Sequence, residues 1–119
     1  MNVEKLRLYC LAKPATTEGF PFDGSTLVFK VAGKMYALMD IDKEDLSMNL
    51  KCDPERAILL RDDYREVRSG WHMNKKHWNT VQMDGLLSEK MIYELINHSY
   101  ELVVASLSKA QKEKLHEES

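Results

Sequence analysis

The sequence predicts an α+β domain, a single antiparallel β-sheet with helices packed on one face in the order α-β-β-β-β-α-β-β-α. Three observations lead there. The 119 residues are 44% apolar, enough to fill one core without disulfides or metal. Two hairpin signals, Ala32-Gly33 and Asp84-Gly85, join or close runs of strand-forming residues, so neighbouring strands run antiparallel. No strand, crossover helix and parallel strand follow one another, which excludes a doubly wound sheet.

The elements follow in order. Val3, Leu6, Cys10 and Leu11 recur at helical spacing, Asn2 can cap the first turn and Pro14 ends the helix. Thr16 to Phe22 reads as a short edge strand, since Pro21 cannot serve a central one. Thr26 to Val31 places Leu27, Phe29 and Val31 on one face and Val28 and Lys30 on the other, and Lys34 to Asp42 completes the hairpin. Leu46 to Cys52 alternates most cleanly. Leu46, Met48, Leu50 and Cys52 point one way, and Ser47, Asn49 and Lys51 point toward a face that is wet or functional.

Asp53-Pro54-Glu55 opens a second helix with a capping side chain, proline at the first helical position and an acid near the positive helix end. That helix is expected to run to about Tyr64. Val67 to Trp71 and Trp78 to Met83 read as strands around a long turn. Ser88 caps the longest helix, stapled by Leu87 and Ile92 and ending near Leu107. Ser108 to Ser119 is polar and shows no core face, so the folded domain is expected over 1–107, with 108–119 a frayed or disordered tail.

Composition limits function. Seventeen Lys plus Arg stand against 19 Asp plus Glu, for a formal charge of -2. The longest apolar runs, Met35 to Met39 and Leu102 to Ala105, fall far short of the roughly 20 residues that span a bilayer. The first residues lack an apolar signal core, so a cytoplasmic protein with no membrane partner, favoured as a monomer, is the expectation. Cys10 and Cys52 belong to no C-x-x-C pair and read as small buried hydrophobes. His72 and His77 match no metal-binding spacing, and neither a nucleophile elbow nor a phosphate-binding glycine loop is present. The reading is therefore no enzyme, no cofactor and no metal site.

Charge is unevenly placed. Val67 to Met83 holds Arg68, Lys75 and Lys76 and no acid, a local charge of +3 against -5 for the remainder. The bases are interleaved with Trp71, His72, Asn74, His77, Trp78 and Asn79. Cations neutralise phosphates, rings stack on bases and amides hydrogen-bond base edges or backbone. A basic, aromatic hairpin on an acidic body has the form of a nucleic-acid-binding wing, and Lys30 and Lys34 of the first hairpin are candidates for a second. On pattern alone, tryptophans in a strand are more often core than ligand platforms, and a lysine pair in a turn is more often simply solvated.

Five ordered blocks carry a resemblance: Phe20-Pro21-Phe22-Asp23, Phe29 to Leu38, Leu50 to Ala57, His72 to Thr80 and His98 to Val104. On them the chain resembles the MmcQ/YjbR family of small bacterial proteins. The resemblance implies an α+β fold of the secretion-chaperone and frataxin-like type and DNA as partner, contacted through a double wing. Ser69 stands where that family often has proline, and Trp71 where tyrosine is usual. The alternative is a protein- or peptide-binding adaptor that uses an exposed sheet face or edge for strand addition.

Overall fold

A computed structural model describes residues 1–118. Its six strands are β1 (Thr16–Gly19), β2 (Thr26–Val31), β3 (Lys34–Asp40), β4 (Ser47–Lys51), β5 (Val67–Ser69) and β6 (Trp78–Gln82). They form one sheet in the order β1-β2-β3-β4-β6-β5, every pair antiparallel. The β2–β3 turn is tight because Ala32 and Gly33 both take positive φ, 50° and 79°, the geometry that follows the twist of the flanking strands. The register also bulges between Phe29 and Lys30, so Lys30 meets Met35 and Phe29 meets Ala37.

The described residues also form four helices: α1 (Val3–Leu11), α2 (Pro54–Asp63), α3 (Glu89–Ala105) and α4 (Lys109–Glu118). One core joins α1, α2 and α3 to a single face of the sheet. It contains Leu6 and Cys10, Ala57 and Leu60, and Ile92, Leu95, Ile96 and Val103, packed on Leu27, Phe29, Val31, Met39, Met48, Leu50, Val67 and Val81. This is the α+β layering that the hairpins and the alternation in β4 predict, with the helices on one face. The capping signals hold as well. Asn2, Asp53 and Ser88 each accept a backbone N–H three residues on, at 2.8, 3.1 and 3.1 Å.

Ser99 is fully buried in α3 and joins that helix to the sheet. Its hydroxyl donates to the Tyr36 carbonyl at 2.5 Å and accepts the Lys51 N–H at 2.8 Å. The paired register of β3 and β4 stops at Ala37 and Leu50, and the hydroxyl bridges the two strands one step beyond.

Two readings change. The segment from Ser108 is helical and does have a core contact, because Leu115 packs on the main core. A reciprocal capping box starts it: Gln111 N–H donates to Ser108 Oγ at 3.2 Å, and Ser108 N–H donates to Gln111 Oε1 at 3.0 Å. The strands around the long turn are also shorter than their composition predicts. Trp71 leaves the ladder because its N–H donates to the Thr80 hydroxyl, at 2.9 Å, rather than to a strand carbonyl.

Candidate nucleic-acid interface

Alternation assigns the second sheet face. Because Leu27, Phe29, Val31, Met48, Leu50 and Val81 face the helices, their neighbours Val28, Lys30, Asn49, Lys51, Thr80 and Trp78 face the other way, as does Arg68 opposite Thr80. Among the described residues no helix covers this face. The loop from Gly70 to His77 folds back over its middle instead, above a small second cluster of Val28, Leu38 and Trp78 with Met35 and Met73.

Hydrogen bonds fix the loop. Trp71 N–H donates to Thr80 Oγ1, Thr80 Oγ1 donates to Asn49 Oδ1 at 2.5 Å, and Asn49 Nδ2 donates to the Trp71 carbonyl at 3.2 Å. This closed ring clamps one end of the loop to β4 and β6. At the other end Arg61 of α2 donates to Asn79 Oδ1 at 2.8 Å, to the Lys75 carbonyl at 2.5 Å and to the Trp78 carbonyl at 3.2 Å. Gly70 is required between them. A Cβ there would stand 2.8 Å from Trp78 Cβ and 3.0 Å from the Trp78 carbonyl oxygen.

On this frame the predicted residues separate. Trp71 is 61% exposed, with the His72 ring edge-on at 4.6 Å and His72 itself at a φ of 57°. Lys75, Lys76 and Arg68 are exposed, and Lys75 Nζ also reaches the Gly70 carbonyl at 3.3 Å. Asn74 is exposed, its Oδ1 turning the loop by accepting the Lys76 N–H at 2.9 Å. His77 is half-buried and its carbonyl accepts the Cys52 N–H. Trp78, 9% exposed, is the floor beneath the loop rather than an open ring. Asn79 is buried on the helix side against Arg61. Lys30 lies on the helix-free face. Lys34, paired with Val31, reaches toward the Ser106 carbonyl at the end of α3, so the two hairpin lysines do not share a surface.

Lys51, Asn49 and Arg61 were not among the residues singled out. The first two are legible in the alternation of β4, which assigns them to the wet face. Arg61 carries no local signal, since its targets lie 14 to 18 residues away.

Groups elsewhere with chemical potential are buried or hydrogen-bonded. Burial pushes the Cys10 thiol up to about 12 and also raises that of Cys52. His98 Nε2 accepts the Asp53 N–H at 3.1 Å, and burial followed by nearby Arg56 lowers its pKa, favouring the neutral acceptor. Lys13 Nζ donates to Asn97 Oδ1 and lies 5.0 and 5.2 Å from the ring centres of Tyr9 and Tyr100. Burial lowers its pKa. These contacts tie α1 to α3, and Tyr9 stacks on Tyr93 at 3.8 Å. Among the described residues no three His, Cys, Asp or Glu side chains gather as metal ligands, and no helix is long and apolar enough to cross a membrane.

The family model described as YjbR matches residues 11–102, which takes in every strand, the loop and all of α2. The chain belongs to the YjbR family. It is 36% identical over 115 residues to the uncharacterised protein YjbR of Escherichia coli K12, covering 97% of each chain. It is 34% identical over 112 residues to the uncharacterised protein YbdF of Escherichia coli O157:H7, covering 94% of this chain and 92% of that one. In three dimensions it is similar to the crystal structure of Deinococcus radiodurans protein DR2400, with a TM-score of 0.92 and 42% identity over 97% of this chain and 88% of that one. A Pseudomonas syringae protein aligns with a TM-score of 0.75 and 31% identity over 86% of this chain and 98% of that one. The YjbR fold thus accounts for the whole sheet and its helical layer.

Proposed function

We propose that this YjbR-family chain is a non-enzymatic DNA-binding protein that presents the helix-free face of its sheet to the nucleic acid. Trp71 supplies a stacking ring, Arg68, Lys75 and Lys76 neutralise phosphates, and Lys51 and Lys30 extend the basic surface across the strands. The observation that carries this reading is the clamped, acid-free loop that holds an exposed tryptophan among cations. The Asn49, Thr80 and Arg61 contacts pre-organise it, so little ordering is left to binding. The hydrogen bonds that engage Ser99 and His98 and the burial of both thiols support a non-catalytic reading. In this reading the double wing is asymmetric: the loop is the main wing, and Lys30 alone represents the β2–β3 hairpin on that face.

Replacing Lys75 and Lys76 together with Ala is expected to weaken duplex binding whatever the sequence and to flatten the slope of log affinity against log salt by about 2, with the melting temperature unchanged. Fluorescence anisotropy across a salt series reads this, and an unchanged slope removes the loop from the interface. The adaptor reading has its own support in Phe20 and Phe22, 46% and 62% exposed beside edge strand β1. Protein partners retained by both wild type and the double variant after nuclease treatment, with no DNA binding at low salt, would put the adaptor in its place.

A further inference from the structure

A second feature of the helix-free face is a cleft of about 340 Å³ at its β1 edge, lined by Thr17, Glu18, Gly19, Phe20, Pro21, Val28 and Lys30. Its volume falls in the ~300–1,000 Å³ range of ligand clefts. Gly19 has no side chain to fill it, Phe20 gives one wall an aromatic ring, and Lys30 gives a cation. Glu18 is the one acid present. Its carboxylate is held by the Arg7 guanidinium through bonds of 2.7 and 2.6 Å, which offsets its repulsion of an anion.

The sheet register aligns this cleft with the loop. Gly19, Val28, Leu38 and Asn49 are successive partners across β1, β2, β3 and β4, and Asn49 is bonded to the Trp71 carbonyl. Three strand spacings, ~14 Å, therefore separate the backbone beside Phe20 from the strand that holds Trp71. Two exposed aromatic side chains thus stand on one basic face, a few nucleotides apart. A duplex keeps its base faces stacked and offers only edges and phosphates. A single strand offers the faces themselves, and aromatic rings bind those without needing a particular sequence.

We infer that the Phe20–Lys30 cleft holds one base of a single strand whose chain continues to Trp71, so that single-stranded DNA is the preferred ligand. Phe20 stacks on the base and Lys30 contacts the adjoining phosphate. The inference rests on the DNA-binding reading of the same face and deepens it.

The test measures anisotropy of a labelled oligodeoxythymidine and of a duplex of equal length, with wild type and with Phe20→Ala, Phe20→Leu and Lys30→Ala. Wild type is expected to bind the single strand more tightly. Both Phe20 variants should lose about tenfold on the single strand, a change within the range of one base stack, and change little on the duplex. Lys30→Ala should reduce the single-strand salt slope by about 0.7. Phe20 is exposed, so melting temperatures should match wild type, and Phe20→Leu keeps apolar bulk without the ring should Phe20→Ala melt lower. Unchanged single-strand affinity in the Phe20 variants, or a wild type that prefers duplex, overturns the cleft assignment and leaves the DNA reading standing. A wild type that binds neither probe at low salt overturns both.

Discussion

The two tryptophans illustrate how residue-level roles diverge within one basic segment. Trp71 and Trp78 are seven residues apart and equally attractive as rings in the sequence, yet Trp71 is 61% exposed and Trp78 is 9% exposed. Position in the pleat decides this. Trp78 is still in β6, opposite Lys51, where its ring lies on Val28 and Leu38 with Met35 and Met73 around it. Trp71 is already outside β5, with its backbone tied down and its side chain left in water. Trp78→Ala is therefore expected to lower stability by about 3–5 kcal/mol, the cost of truncating a buried aromatic. Trp71→Ala should leave stability within about 0.5 kcal/mol and act on nucleic-acid affinity alone. Chemical denaturation of both variants separates the roles, and similar losses from the two would contradict this assignment.

At the scale of elements, the loop from Gly70 to His77 is built by residues outside it. Arg61 on α2 holds three acceptors in the returning half, the Asn79 side chain and the backbone carbonyls of Lys75 and Trp78, the latter also accepting the Gly70 N–H. Arg61→Ala is expected to raise amide exchange in residues 72–78, with α3 and β3 protected as before, and to weaken nucleic-acid binding although Arg61 does not reach the ligand. Mass-spectrometric hydrogen exchange checks this, and wild-type protection of the loop would show that the Asn49–Thr80–Trp71 ring suffices.

The elements also separate what was legible from what was not. Period-two alternation in β4, the Ala32-Gly33 turn, and the Asp53-Pro54 and Ser88 caps are short-range patterns, and each appears in the structure where the sequence predicts it. The fold of the loop onto the sheet depends on Arg61 and Asn49, which reach loop carbonyls 14 and 22 positions away, so no local pattern announces it. Asn79 illustrates the consequence. It reads as an exposed donor beside cations, but β6 alternation turns it toward α2. Helix α4 was missed for a different reason. Its start signal, Ser108 with Gln111, is a plain capping box, but a helix that contributes one partly buried leucine has no apolar stripe to extend it.

The whole molecule is two unequal layers on one sheet. A large core on the helix side supplies most of the apolar burial that stabilises the fold, and a smaller cluster of three buried residues with two methionines on the other side adds to it and seats the loop. That asymmetry lets the rest of the helix-free face, outside the Trp78 cluster, carry cations and exposed rings, because most of the apolar burial lies on the other side. Helix α4 lies outside this arrangement, touching the core through Leu115. A chain ending at Leu107, itself 5% exposed, keeps all six strands and α1, α2 and α3. It is expected to unfold in urea as one cooperative transition, less stable than the full chain by about 1–2 kcal/mol. Loss of partial leucine burial sets that size. DNA affinity should be unchanged, since the loop, Lys51 and Lys30 do not involve α4. A broad, non-cooperative transition would mean that α4 is integral to the core, and a large loss of affinity would mean that the binding surface extends beyond the helix-free face.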